Sequence, residues 1–311
     1  MRTPPFRVVV LGLGHAGSRL HLPALRRLRG VEVVAAYDPD PARRDAVTGV
    51  HVLDDEGRAV ETEADAVVIA TPPSTHARLA LAAMDRGRHV YVEKPMADTL
   101  EGALAVHRAA TAAQLTLQVG FAYRFHPLWQ RLDALVQRRT LTTPVHAEAV
   151  FDADAAEGWD HPLVTVGCHH IDLLSSLVGI GPTEVEVTSP RELIVRWPDG
   201  SVLHGTYGDG PGRDHMRLRF SRRCVELDRR RGLRLRGAGL RSAIPPPRLL
   251  RALPALTGWE RSFELAQAAF VATARRRGRG VPGPDAGLGG VRVGLATMRS
   301  LEAGQPVAVE G

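Results

Sequence analysis

The sequence predicts an α/β chain: a doubly wound parallel sheet over residues 1–120, then an α+β region over residues 121–311 built on an open, mostly antiparallel mixed sheet. Three observations carry that prediction. Up to residue 120, short apolar runs alternate with longer amphipathic stretches, the rhythm of strand–helix–strand units. Past Gly120 the rhythm changes to short strands with alternating apolar and polar residues. With 311 residues, the chain is long enough for two regions that each bury a core.

Taken in order, residues 7–11 read as a buried strand and 16–29 as a helix with Leu20, Leu25 and Leu28 on one side. Residues 31–37 form a second strand and 50–53 a weaker one. The strand at 66–70 is closed by Thr71-Pro72-Pro73. Ser74 or Thr75 caps the helix that follows, and Gly87 ends it. A strand at 89–92, a helix at 100–113 and a strand at 116–119 complete the first sheet. The second region opens with a helix at 128–137, a strand at 145–151 and a helix at 170–177 ahead of Gly179. Strands follow at 184–188, 193–197, 202–207, 216–220 and 223–228, with Pro198-Asp199-Gly200 as a turn. Met216, Leu218 and Phe220 share one face while Arg217 and Arg219 share the other, so one side of this sheet is buried. Pro245-Pro246-Pro247 opens an irregular segment to Trp259, and helices at 263–275 and 288–301 close the chain.

Composition narrows the class. The chain is 44% hydrophobic and 24% charged, ordinary for a globular protein. No apolar run approaches the roughly 20 residues of a membrane span, so no membrane partner is expected. Arg2, Arg7 and the run Val8–Leu11 resemble a signal peptide only superficially, because the run is short and leads into a glycine pattern. Cys168 and Cys224 form no CxxC, which suggests neither a disulfide framework nor a thiolate metal site and fits a cytoplasmic protein. A net charge of +6 raises the question of nucleic acid. The arginine runs at 229–231 and 275–279 carry no interleaved aromatics and read as solvated surface, so no nucleic-acid partner is expected. Of the 40 basic residues 39 are arginine, and Lys94 is the single lysine. A lysine kept alone in such a chain marks a place where guanidinium cannot substitute, since only an ammonium can give up its proton.

Three motifs carry chemistry. Gly12-Leu13-Gly14-His15-Ala16-Gly17 follows a strand and opens a helix. In that setting the first glycine permits the tight turn, the second lets the backbone approach a pyrophosphate, and the third lets helix and strand pack closely. The free N–H groups of the helix start then face the phosphates. This is the pattern of a Rossmann dinucleotide site. Asp38, 21 residues after Gly17 at the end of the second strand, is placed to accept ribose hydroxyls and favours NAD, while Arg43 and Arg44 leave NADP open. In the second motif, Glu93-Lys94-Pro95, Lys94 stands at a strand's carboxyl end, where ligands of open α/β sheets bind. A lysine there can hydrogen-bond a substrate hydroxyl and pass on a proton. In the third, His169-His170-Ile171-Asp172, two histidines and an aspartate suit an acid/base group with an orienting carboxylate. No metal is expected, because no second ligand cluster stands out.

These residues resemble the glucose–fructose oxidoreductase / inositol dehydrogenase / MocA (Gfo/Idh/MocA) family over nearly the whole chain. The likeness lies in the glycine turn, Ala70-Thr71-Pro72-Pro73-Ser74-Thr75-His76, Glu93-Lys94-Pro95, Gly120-Phe121 with Arg124-Phe125-His126-Pro127, the segment His169 to Asp172, and a C-terminal pattern from Ser262-Phe263 to Gly304-Gln305-Pro306-Val307. The resemblance implies that Lys94 and His169 flank the reacting carbon, with Thr71, Pro72, His76 and Glu93 near the cofactor. It implies that Tyr123 and Arg124 approach the nicotinamide or substrate, together with Thr165, His170 and Asp172. It further implies sugar-like or cyclitol substrates and a homo-oligomer, dimer or tetramer, formed through the open sheet face. One departure stands out. Many members carry an aspartate four residues before the histidine, whereas this chain has Thr165 there. Threonine can hydrogen-bond a hydroxyl but cannot act as a carboxylate base, so His169 or Lys94 must carry more of the relay. Hydride exchange between NAD(H) and a secondary alcohol or ketone is therefore expected. Reduction of C=N, a redox-neutral route that recycles the nicotinamide, and a cofactor-sensing protein without turnover are the alternatives.

Overall fold

The computed structural model describes residues 4–152, 161–208, 213–228, 232–237, 242–244, 259–276, 278 and 282–310. The triple-proline segment and the arginine run at 229–231 lie outside the described residues. The chain forms two compact units, one of residues 1–122 with 260–291 and one of residues 123–259 with 292–311.

The first unit holds a six-stranded parallel sheet: β1 (Phe6–Leu11), β2 (Val31–Tyr37), β3 (Val52–Leu53), β4 (Ala66–Ile69), β5 (His89–Val92) and β6 (Leu117–Val119). Their spatial order is β3-β2-β1-β4-β5-β6, which places the reversal of strand order between β1 and β4. Both faces are covered, so the central strands are apolar throughout: Val8, Val9, Val10, Leu11, Val67, Val68 and Ile69 are fully buried. Strand ends are in step. Leu11 pairs with Tyr37 on one side and Ile69 on the other, and Ile69 pairs with Val92. Gly12, Asp38, Ala70 and Glu93 consequently leave the sheet along one edge.

Two features differ from the sequence reading. The expected helix at 16–29 is a π-helix, His15–His21, continued by an α-helix, Leu22–Arg26. Pro23 brings no N–H to close an α-helical bond there, and the Leu22 amide reaches back five residues to the Gly17 carbonyl instead. The chain also does not divide at a single cut near residue 120. The helix Trp259–Arg275 returns to the first unit, where the Phe270 ring meets Tyr91 and the Phe263 ring meets His21. Tyr91 is a large side chain at 0% exposure, and the returning helix supplies part of its cover.

The second unit is built on a nine-stranded mixed sheet containing β7 (His146–Asp152), β8 (Glu184–Ser189), β9 (Glu192–Arg196), β10 (Val202–Gly208), β11 (Asp214–Arg219), β12 (Arg223–Asp228), β13 (Gly232–Gly237), β14 (Ser242–Ile244) and β15 (Val307–Ala308). The order is β14-β13-β12-β11-β7-β10-β9-β8-β15, and only β7 and β10 run parallel. One face packs against the helices Pro127–Gln137 and Gly167–Val178 through Leu132, Leu174, Leu177, Val195, Leu203 and Leu218. The alternation read from residues 216–220 is present, with Met216, Leu218 and Phe220 buried and Arg217 and Arg219 exposed. The open face is polar. Arg217 bridges Glu148 and Glu226, and Arg196 bridges Glu184 and Glu186.

Candidate active site

The glycine turn is dictated by backbone contacts. Gly12 has φ +91°, and a Cβ there would lie 2.4 Å from the Ala70 carbonyl oxygen. A Cβ on Gly17 would lie 1.8 Å from the Gly12 carbonyl oxygen, so helix and strand approach too closely for any side chain. Gly14 differs: a Cβ would meet only the Arg43 guanidinium, at 3.7 Å. Its bareness leaves the helix start open, and no side chain caps His15–His21. Ser18, Arg19, Arg43 and Thr48 join Gly14 and His15 in lining a cleft of about 520 Å³. An uncapped helix start beside arginines fits a dinucleotide pyrophosphate.

Asp38 is 2% exposed and already engaged. Its Oδ2 accepts the Leu13 amide at 2.7 Å and its Oδ1 the Asp40 amide at 2.9 Å, with Arg43 Nη1 3.6 Å away. The carboxylate assigned to ribose thus also anchors the glycine turn, and Arg43 is the half-exposed group beside it. Arg44 donates to the carbonyls of Asp38 and Pro39.

At the exit of β5, buried polar groups converge on the segment that bears the half-buried Lys94. Glu93 Oε1 lies 2.8 Å from His21 Nε2, and Gln267 Nε2 lies 2.9 Å from His21 Nδ1. Glu93 Oε2 accepts the Lys94 amide at 3.3 Å. Gly120 makes room for that carboxylate, because a Cβ there would come within 2.7 Å of it. His76, 1% exposed, sits with Nδ1 2.7 Å from the Pro95 carbonyl oxygen and Nε2 2.7 Å from that of Thr71. The Thr71 hydroxyl accepts from Thr75 at 2.6 Å. Sequence reasoning missed His21 and Gln267. The available signal for His21 was a polar residue between Leu20 and Leu22 on the buried side of the helix.

In the second unit the helix Gly167–Val178 carries His169, His170 and Asp172, all buried. They take different partners. The His169 ring lies 4.6 Å from the Tyr123 ring. His170 Nδ1 lies 3.0 Å from the Tyr207 hydroxyl, and Gly205 leaves the space that hydroxyl needs, since a Cβ there would be 2.8 Å from it. Burial pushes the His170 pKa down to about 4 and the Tyr207 pKa upward, so both are neutral near pH 7. Asp172 accepts a bidentate pair from Arg124, Nε to Oδ2 at 2.7 Å and Nη2 to Oδ1 at 2.6 Å. Burial raises the Asp172 pKa and Arg124 opposes the rise. Both oxygens of Asp172 thus accept from a guanidinium 48 residues away, and His170 is a buried partner of Tyr207, 37 residues away. Thr165 donates to the His161 carbonyl at 3.3 Å. Among the described residues no group of three or more metal-ligating side chains gathers. No described helix is long and apolar enough to cross a membrane.

A parallel sheet with a glycine-built turn at its point of reversal is the architecture of a dinucleotide-binding unit. Residues 6–121 match the GFO_IDH_MocA family, described as an oxidoreductase family with an NAD-binding Rossmann fold. The match covers the glycine turn, Asp38 and Lys94, and supports NAD as the cofactor. Inositol 2-dehydrogenase 4 of Saccharopolyspora erythraea is 34% identical over 204 residues, 61% of this chain and 59% of that protein. The inositol 2-dehydrogenase of Rhodococcus erythropolis is 28% identical over 59% of this chain and 56% of its own length. The chain thus matches less than two thirds of the length of these curated relatives. The fold extends further: the myo-inositol 2-dehydrogenase structure from Lactobacillus plantarum superposes with a TM-score of 0.80 at 16% identity, covering 98% of this chain and 100% of that one.

Proposed function

We propose that the protein oxidises a secondary alcohol of a cyclitol or sugar-like substrate to a ketone, reversibly, with NAD as hydride acceptor. The single lysine of the chain, in the segment leaving β5 on the edge that holds the glycine turn, carries this reading. Gly12, Gly14, His15, Ala16 and Gly17 hold the pyrophosphate, with Asp38 and Arg43 toward the ribose. Thr71, Pro72, His76 and Glu93 shape the rest of the cradle. NAD, when bound, supplies the hydride acceptor. The protein's own groups manage the proton: Lys94 hydrogen-bonds the reacting oxygen and His169 takes its proton. Tyr123 and Thr165 contact the substrate. Arg124, Asp172 and His170 hold the helix and its neighbours in register. The inositol dehydrogenase relatives favour a ring polyol as substrate. A homo-oligomer joined at the polar open face of the second sheet belongs to the same reading.

The test is a panel of cyclitols and sugars with NAD, following NADH formation and identifying products by mass spectrometry. Oxidation of one ring hydroxyl to a ketone is expected. NADH binding without turnover of any polyol or keto-sugar would contradict the proposal.

A further inference from the structure

We infer that His76 is a positioning residue for Lys94: its buried imidazole ties the carbonyl of Pro95, one residue beyond the lysine, to the carbonyl of Thr71 at the exit of β4. This rests on the reading of Lys94 as the amine beside the bound nicotinamide.

The geometry is unusual for a buried histidine. Both ring nitrogens lie 2.7 Å from backbone carbonyl oxygens, and a carbonyl can only accept. A neutral ring has one N–H and can satisfy one of the two. With two protons the ring donates to both. Burial opposes the second proton and is the larger influence on the ring, while the two carbonyls, Glu93 and Asp98 favour it. The imidazole therefore does more than fill space. It links two strand exits that no other hydrogen bond described above joins beyond the sheet ladder.

The far side of the lysine is held independently. Glu93 is fixed by His21, itself at 0% exposure and braced by Gln267. Lys94 thus lies between two anchored neighbours: the Glu93 side chain on one side and the Pro95 carbonyl on the other. Its backbone position is set on both sides by neighbouring groups, the preorganisation that a proton-transfer group requires. Of the two carbonyl contacts of His76, the one to Pro95 acts on the lysine directly, and the one to Thr71 acts only through the ring.

Lys94, as the single lysine, provides a reporter that needs no knowledge of the substrate. Trace acetylation of the intact protein, quantified at the Lys94 peptide, reads the basicity and access of that amine. In the wild type NADH should slow acetylation of Lys94. If it does not, the reading of Lys94 beside the nicotinamide fails, whatever His76 does. With protection established, His76→Phe keeps ring volume without a donor and should change the acetylation rate of the cofactor-free protein about tenfold. His76→Asn places an amide donor near the Nδ1 position and should remain within about twofold of wild type. His76→Gln places its donor near the Nε2 position and should behave like the phenylalanine variant. A Lys94 rate unchanged in His76→Phe, or equal rates in the Asn and Gln variants, would overturn the inference. Should His76→Phe fail to fold, the Asn/Gln pair decides, because a space-filling role predicts no difference between them.

Discussion

The strand-exit edge of the first unit and the helix Gly167–Val178 of the second both gather polar groups out of water, by different means. At the edge the backbone dominates: glycines remove side chains where chains nearly touch, and amides anchor Asp38. On the helix, side chains dominate, and each of the three polar residues takes a partner from elsewhere in the chain. A backbone-built site is tolerant where nothing fills its open space and intolerant where chains touch. A side-chain-built site fails when one partner leaves a buried charge or donor behind. Substitutions can break that contrast.

The largest effect is expected from Arg124→Ala. It leaves Asp172 buried without its guanidinium and should lower unfolding free energy by about 4 kcal/mol, read by urea denaturation. A loss under about 1 kcal/mol would show that the pair is solvated and the contrast overstated. Next comes the pH dependence set by His170. Its folded pKa, about 4, lies below the ordinary histidine value of 6.5, so between those values the unfolded chain binds the proton first. The stability contributed by a neutral His170 is full above about pH 6.5 and is lost as pH falls toward 4, about 3 kcal/mol in all. His170→Gln should flatten that slope, and an unchanged slope would place the titration elsewhere. Gly205→Ala drives a Cβ to 2.5 Å from the Tyr207 ring and should cost about 2 kcal/mol. The smallest stability effect belongs to Gly14→Ala, where space is open: within about 0.5 kcal/mol of wild type. Its NADH affinity should nonetheless fall about tenfold, because the added methyl stands where the pyrophosphate approaches. Equal NADH binding in that variant would remove Gly14 from the cradle.

The same contrast explains what could be read in advance. The six parallel strands, the glycine turn and the lysine at the β5 exit follow from local patterns, because apolar runs and φ-positive glycines are demands on consecutive residues. The pairing of Arg124 with Asp172, the seat of His170 against Tyr207 and the brace of Gln267 on His21 join positions 37 to 246 residues apart. Local pattern holds no record of them. Adjacency on the helix pointed to a histidine for Asp172 and gave no sign of Arg124. The return of residues 260–291 to the first unit escaped for the same reason, since an amphipathic helix does not state which apolar surface it covers. The strands at 242–244 and 307–308 are too short to show an alternating run, whereas Leu233 and Leu235 against Arg234 and Arg236 gave β13 a legible alternation that the sequence reading passed over.

The central claim concerns one amine, and replacing it with the residue this chain prefers everywhere else is the most direct test. Lys94→Arg keeps positive charge and reach but cannot release a proton. With NAD and a polyol that the wild type oxidises, the variant should bind NADH within about threefold of wild type and turn over about a thousandfold more slowly. Turnover at the wild-type rate would contradict the account.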